Sequence, residues 1–120
     1  MAKILIVDDS GMSRRILRRI LESAGHNVIE AEDGMVAIEK YFLEKPDVVL
    51  LDLIMKGMLG MTVLQEIKRM DTGARVVVAT ADIQNSTRIL TEAEGAIGFV
   101  TKPFDEKQII AAIEAALTER

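Results

Sequence analysis

Three short, unbroken runs of aliphatic residues constrain the fold of this chain more than any other feature of its sequence. They occupy residues 4–7, 48–51 and 76–79. A strand with apolar side chains at every position must be buried on both faces, as in a parallel sheet with helices on either side. The runs therefore predict an α/β fold with a parallel sheet at its centre.

Between the runs, the apolar residues change to a helical spacing. The first helical segment has an apolar face and an opposite face of four arginines, and Gly25 is placed to end the helix. The arginine face is interpreted as solvated and not as a docking site for an acidic partner. Its members are Arg14, Arg15, Arg18 and Arg19. The other predicted elements are helices over residues 34–43, 59–70, 83–93 and 106–117 and two weaker strands over residues 27–31 and 96–101.

Five strands that alternate with five helices indicate a doubly wound sheet with right-handed crossovers. Asp33, Asp82 and Asp105 stand where the N-caps of the second, fourth and fifth helices are expected. A length of 120 residues suits a single domain, which is predicted over residues 1–120. Ligands of such open sheets bind beyond the carboxyl ends of the strands, where strand order reverses. Functional residues are therefore expected where the apolar runs end.

The composition argues against several classes of function. A net charge of -4 and an aromatic content of 3% argue against a nucleic-acid partner, which needs a basic face or stacking platforms. The lack of cysteine excludes disulfides, thiolate catalysis and sulfur-ligated zinc. The first apolar run meets Asp8 too early for a signal peptide, and no run approaches the roughly 18 apolar residues that span a bilayer. We therefore expect a cytoplasmic protein with no nucleic-acid or membrane partner.

Residues that can bind an anion or a cation follow four of the five predicted strands. They are Asp8 and Asp9 after the first strand, Asp52 after the third, Thr80 after the fourth and Lys102 after the fifth. Any one of them could simply cap a helix, but the combination is much less expected by chance. Carboxylates at one edge repel by roughly a few kcal/mol per close pair, a cost that a cation or a function must offset. Magnesium, which prefers oxygen ligands, is the predicted ion.

Four segments of the sequence resemble a known family. They are ILIVDDS at residues 4–10, PDVVLLDLIM at 46–55, VATA at 78–81 and FVTKPF at 99–104. In this order, and at these strand ends, they make the chain similar to response-regulator receiver domains of the chemotaxis CheY type over essentially its full length. The resemblance implies a flavodoxin-like sheet in the order 2-1-3-4-5, which is the order known for CheY. It also implies a phosphoacceptor signalling domain and not an enzyme with a separate substrate.

The resemblance implies a magnesium-dependent phosphorylation site. Asp52 is the implied acceptor of a phosphoryl group from a histidine kinase or phosphotransfer protein. Asp9, Asp52 and the backbone carbonyl of Ile54 are the implied magnesium ligands, and Asp8 assists them. Lys102 is implied to pair with the phosphoryl oxygens, as cations do around a transferring phosphoryl group.

The resemblance also implies how phosphorylation changes partner binding. Thr80 would bring its hydroxyl to the phosphoryl group, and Phe99 would turn inward as a switch aromatic unless it is an ordinary packed side chain. Ala81 would leave a path for the donor, and the peptide bond before Pro103 would be cis. The downstream partner, in chemotaxis or another relay, is expected on the face of the fourth helix, fifth strand and fifth helix.

The loop after Asp52 departs from the family pattern. A proline and an acidic residue are common at the two positions where this chain has Lys56 and Leu59. With Gly57 and Gly60 nearby, the loop is predicted to be looser than usual.

Two other classes of function remain open. A receiver-like domain could bind partners without being phosphorylated, although the matching site residues argue against this. An enzyme, such as a nucleotide binder or an aspartyl-phosphate phosphatase, would need a glycine-rich phosphate loop or an Asp-x-Asp motif after the first strand, and the sequence has neither. His26 is the only histidine and is expected on the surface, far from the carboxylates, which excludes a Ser-His-Asp triad.

Overall fold

Five parallel strands form one sheet in the computed structural model, which describes residues 1–118. The strands are β1 (Lys3–Val7), β2 (Asn27–Ala31), β3 (Val48–Leu51), β4 (Val76–Thr80) and β5 (Gly98–Thr101). Their order, β2-β1-β3-β4-β5, confirms the predicted flavodoxin-like topology. In this order β1 has β2 on one side and β3 on the other, so the strand order reverses between β1 and β3.

Five helices connect these strands within residues 1–118. They are α1 (Gly11–Ser23), α2 (Gly34–Glu44), α3 (Gly60–Met70), α4 (Asn85–Ala93) and α5 (Glu106–Thr118). The predicted helices are all present, with ends that differ by one or two residues. None of them is long and apolar enough to cross a membrane.

Local hydrogen bonds explain where the helices begin. Asp33 caps α2 as predicted, because its carboxylate accepts a hydrogen bond from Val36 N at 2.9 Å. Asp105 precedes α5, and its carboxylate accepts a hydrogen bond from Lys107 N at 2.9 Å.

The prediction that Asp82 caps α4 is wrong. Gln84 is the residue before that helix, and Asp82 lies two residues earlier. Its carboxylate accepts hydrogen bonds from Gln84 N at 3.0 Å and Thr87 Oγ1 at 2.7 Å. Asp82 therefore folds the loop that leads into α4 instead of capping the helix itself.

Two apolar layers lie on opposite faces of the sheet. Leu5 and Val7 of β1 face the layer under α2 and α3, whereas Ile4 and Ile6 face the layer under α1 and α5. Both faces of this strand are therefore buried, as its continuous apolar run predicts. Helix α4 differs from the other helices, because its only buried residue is Thr91.

Candidate functional site

Three charged side chains meet beyond the carboxyl ends of β1, β3 and β5. Lys102 Nζ lies 2.9 Å from Asp8 Oδ2 and 2.9 Å from Asp52 Oδ2. Asp8 and Asp52 are nearly buried, with exposed fractions of 1% and 4%. The sheet positions all three, because Asp8 N donates to Ala31 O at 3.2 Å, while Asp52 N donates to Val7 O and Lys102 N to Thr80 O, each at 2.9 Å. The structure thus brings together three of the residues predicted from the strand ends.

The ammonium group of Lys102 is held between two carboxylates. Burial alone would lower the pKa of Lys102, but its contacts with Asp8 and Asp52 outweigh burial and raise the pKa above its usual value. Lys102 therefore remains a cation at neutral pH. Asp8 Oδ2 is buried and forms no suitably oriented hydrogen bond, although the ammonium lies close to it. The one ammonium thus offsets only part of the charge of two nearly buried carboxylates.

Asp9 lies at the same edge but turns to a different partner. Asp9 is exposed, and its Oδ2 accepts a hydrogen bond from Lys56 N at 3.0 Å. This bond joins the β1–α1 loop to the β3–α3 loop. Within residues 1–118, no three acidic or histidine side chains are gathered closely enough to hold a metal ion. The structure therefore brings Asp8 and Asp52 together and leaves Asp9 beside them.

The donors at this edge suit a magnesium ion. Asp8 and Asp52 offer carboxylate oxygens, one of them without a hydrogen bond, and magnesium favours such hard ligands. Two carboxylates beside one ammonium also leave a net negative charge that a divalent cation offsets. Asp9 can complete the set if its carboxylate turns away from Lys56.

Thr80 ends β4, which pairs with β3, and Phe99 lies on β5, the edge strand beyond β4. Thr80 is fully buried, and its Oγ1 accepts a hydrogen bond from Asp82 N at 3.3 Å. Phe99 is half-buried and packs against the apolar layer under α2 and α3. Its ring centroid lies 5.6 Å from the guanidinium carbon of Arg88 on α4. Phe99 thus contacts both the core and α4, and its role as a switch stays a prediction.

The remaining predicted site residues lie in the loops around Asp52. Ile54 N donates a hydrogen bond to Asp52 Oδ1 at 3.1 Å, while the role of the Ile54 carbonyl as a metal ligand stays a prediction. Ala81 is exposed immediately after β4. The peptide bond between Lys102 and Pro103 is cis, as the resemblance implies.

His26 lies in the turn before β2, at the opposite end of the strands from the carboxylates. It is half-buried rather than at the surface, and its Nδ1 accepts a hydrogen bond from Ala2 N at 3.2 Å. It therefore takes no part in the site.

Gly60 supports the site in a way that the sequence reading missed. A Cβ atom at Gly60 would lie 2.3 Å from the backbone oxygen of Asp52 and 2.4 Å from Leu53 Cα. Gly60 is the first residue of α3, and its lack of a side chain permits close backbone packing behind Asp52, while the looseness of the preceding loop stays a prediction. The available signal was a glycine in the first turn of a helix, where it lowers helix propensity and indicates close approach of another backbone.

The arginine face of α1 is exposed at Arg15 and Arg19, as predicted, whereas Arg14 and Arg18 are only half-exposed. Arg14 Nε and Arg18 Nε lie 2.9 Å and 2.6 Å from the two carboxylate oxygens of Glu30 on β2. Arg14 Nη1 also donates to the backbone oxygen of Asp8 at 2.7 Å. Glu30 therefore orients an arginine that holds the loop carrying Asp8. A single charged residue, Glu30, within the otherwise uncharged β2 was a weak signal for this pairing.

Replacing Glu30 with glutamine is expected to lower stability in a pH-dependent way. Burial raises the pKa of Glu30, but hydrogen bonds and charges from Arg18 and Arg14 outweigh burial and lower it. This stabilisation is complete above the unfolded-state pKa of 4.5 and is lost as pH falls through the lower folded-state pKa. Urea unfolding should show a loss of about 1 kcal/mol at pH 7. An equal loss in strong acid, where Glu30 is protonated, would contradict this explanation.

The chain is similar to known proteins in its sequence. The model of the response regulator receiver domain family matches residues 4–114. The sequence is 40% identical over 116 residues to chemotaxis protein CheY of Bacillus subtilis (strain 168), covering 96% of this chain and 97% of that protein. It is 38% identical over 119 residues to protein PilH of Pseudomonas aeruginosa, covering 98% of each.

Solved structures share the same fold. The complex of CheX, CheY, BeF3 and Mg²⁺ from Borrelia burgdorferi contains a chain with a TM-score of 0.94 to this structure and 32% sequence identity. The match covers 98% of this chain and 90% of that chain. A relative is therefore known with magnesium, a fluoride compound of beryllium and a protein partner.

Proposed function

This chain belongs to the response regulator receiver domain family, and from that premise we propose that it is a phosphoacceptor of a two-component phosphorelay. A histidine kinase or phosphotransfer protein supplies the phosphoryl group, Asp52 accepts it, and the product binds a downstream protein. The receiver domain extends over residues 1–120. The observation that carries the proposal is the nearly buried Asp52 carboxylate, which shares the ammonium of Lys102 with Asp8.

The proposed reaction is the transfer of a phosphoryl group from nitrogen to oxygen. A carboxylate oxygen of Asp52 forms a bond to phosphorus, the bond from phosphorus to the donor's imidazole nitrogen breaks, and the imidazole leaves as a base that takes up a proton. Lys102 already lies 2.9 Å from Asp52 Oδ2, so it can contact the oxygens of the incoming phosphoryl group. The hydrogen bond from Ile54 N to Asp52 Oδ1 restricts rotation of the acceptor. Fixed groups of this kind stabilise a loose phosphoryl-transfer transition state.

Magnesium is the proposed cofactor. Asp9, Asp52 and the Ile54 carbonyl would hold it, with Asp8 assisting. When bound, the ion neutralises charge on the phosphoryl oxygens. The two buried carboxylates of Asp8 and Asp52 supply the negative charge that attracts the ion to this edge of the sheet.

Intact-mass spectrometry after incubation with acetyl phosphate and magnesium chloride tests the proposal. We expect the added mass of one phosphoryl group, its loss on treatment with hydroxylamine, and no addition when EDTA removes magnesium. A protein that gains no mass under these conditions would instead be a receiver-like binding module that works without phosphorylation.

The proposed output surface is the face formed by α4, β5 and α5. A groove of about 440 Å³ lies there, with Phe99 of β5 between Arg88 of α4 and Gln108 of α5 among its lining residues. Ile83, which also lines the groove, is 75% exposed, and Ile89 of α4 is 66% exposed. Such a patch suits a downstream protein partner. The similarity to both CheY and PilH supports a signalling role, and chemotaxis is one process that this role fits.

Replacing Thr80 with alanine is expected to separate phosphorylation from output. Asp52 should still accept phosphate, but the hydroxyl that draws the β4–α4 loop inward would be gone. Coupling between two sites is typically about 1 to 3 kcal/mol, so phosphorylation should change partner affinity by roughly 5- to 150-fold in the parent. In the alanine variant this change in affinity should be lost. Amide chemical shifts with and without beryllofluoride provide the measurement, and Thr80→Ser, which keeps the hydroxyl, is the control. Shifts that still reach Phe99 and α4 in the alanine variant would argue against this role.

A further inference from the structure

The hydrogen bond between Lys56 and Asp9 links a backbone amide to one of the proposed metal ligands. Lys56 N lies 3.0 Å from Asp9 Oδ2, and the two residues are 47 positions apart in the sequence. Both residues are exposed. The donor is the main chain, so the contact depends on the course of the β3–α3 loop and not on the lysine side chain. The path of the β3–α3 loop in this chain therefore determines whether the contact forms.

Asp9 has a different partner from the other two carboxylates. Asp8 and Asp52 both lie within 2.9 Å of Lys102 Nζ, whereas Asp9 has Lys56 N as its partner. Within the part of the chain that the structure describes, these three side chains do not form a group able to hold one ion. To join Asp8 and Asp52 around one cation, the carboxylate of Asp9 has to turn toward them, and the hydrogen bond from Lys56 N to its Oδ2 opposes that movement.

We propose that the Lys56 backbone N–H competes with a divalent cation for the carboxylate of Asp9. We call this hydrogen bond, from Lys56 N to Asp9 Oδ2, the latch. This inference rests on the proposed function, since it assumes that Asp9 is a metal ligand. A hydrogen bond from an amide to a charged carboxylate stabilises the conformation in which it forms. Binding of the cation must overcome that stabilisation, so the latch lowers magnesium affinity. It also ties the β3–α3 loop to the state of the site, since binding of the cation releases the loop from Asp9.

Magnesium binding to two variants at Lys56 separates the amide from the side-chain charge. Lys56→Ala removes the charge and keeps the N–H group, whereas Lys56→Pro removes both, because proline has no backbone N–H. The dissociation constant for magnesium chloride is measured by calorimetry on the parent and both variants. We expect Lys56→Pro to bind magnesium about 10-fold more tightly than Lys56→Ala, equivalent to about 1.4 kcal/mol.

A second measurement on the parent protein does not depend on how proline is accommodated. The temperature coefficient of the Lys56 amide proton shift is small while the proton is hydrogen-bonded and larger when it is open to water. We expect it to be small without magnesium and to increase at saturating magnesium. An unchanged coefficient, or equal affinities of Lys56→Pro and Lys56→Ala, would overturn the latch while leaving the magnesium site in place. If none of the three proteins binds magnesium, the proposed cofactor itself is wrong and the latch with it.

Discussion

Replacing Asp52 with asparagine is expected to abolish phosphoryl incorporation from acetyl phosphate. Asparagine has nearly the same shape as aspartate, and its amide oxygen can still accept a hydrogen bond from Lys102. It has no anionic oxygen to attack phosphorus, so the chemical step is lost while the surrounding contacts are largely kept. Intact-mass spectrometry of the parent and the Asp52→Asn protein, treated side by side, measures the effect.

A matched control removes a carboxylate elsewhere on the same part of the chain. Asp47 is exposed just before β3, and its Oδ2 accepts a hydrogen bond from Lys3 N at 2.7 Å. Asp47→Asn should therefore accept one phosphoryl group as the parent does. Undiminished labelling of the Asp52→Asn protein would show that another residue is the acceptor, and the assignment of Asp52 would be abandoned.

Replacing Gly60 with alanine is expected to destabilise the protein by about 3 kcal/mol, at the upper end of typical overpacking costs. The new Cβ would lie 2.3 Å from the Asp52 backbone oxygen and 2.4 Å from Leu53 Cα, and neither atom belongs to a flexible side chain. Either α3 or the end of β3 must move. Thermal unfolding should show a melting temperature lower by roughly 10 °C. Because the displaced backbone carries Asp52, the rate of phosphoryl incorporation should fall as well.

Gly73 provides the matched control for this substitution. A Cβ atom there would meet nothing closer than Asp71 Oδ1 at 3.5 Å, which is an ordinary contact. The backbone at Gly73 also has no positive φ angle. Gly73→Ala should therefore melt close to the parent. Equal melting temperatures of the Gly60→Ala and Gly73→Ala proteins would rule out the close packing behind Asp52.

Much of the fold could be predicted from sequence because it depends on the period of apolar residues. A strand buried on both faces needs an unbroken apolar run, and β1, β3 and β4 each coincide with one. The strand order was available through the resemblance carried by the four motifs, and the sheet confirms it. Helix ends were harder to place, because a cap depends on side-chain direction. Asp33 and Asp82 look alike in the sequence, yet only Asp33 caps its helix.

The position of the candidate site at the carboxyl ends of the strands also followed from sequence. In a parallel sheet every strand ends at the same edge, so Asp8, Asp52 and Lys102 were expected along that edge, while their separations depend on the strand order and on side-chain reach. The structure adds how they pair, with one ammonium held between two nearly buried carboxylates.

Other features of the site are decided only by the tertiary structure. The partner of Asp9 is a backbone amide 47 residues away, and the glycine behind Asp52 is needed because a helix start packs onto a strand end. Arg14 contacts both Glu30 and the Asp8 carbonyl because α1 crosses the edge strand β2. Sequence determined the residue types and the edge where they gather, since both follow from local periodicity. Tertiary structure decided which atoms meet, because hydrogen bonds between loops depend on distances of a few tenths of an ångström that no local pattern contains.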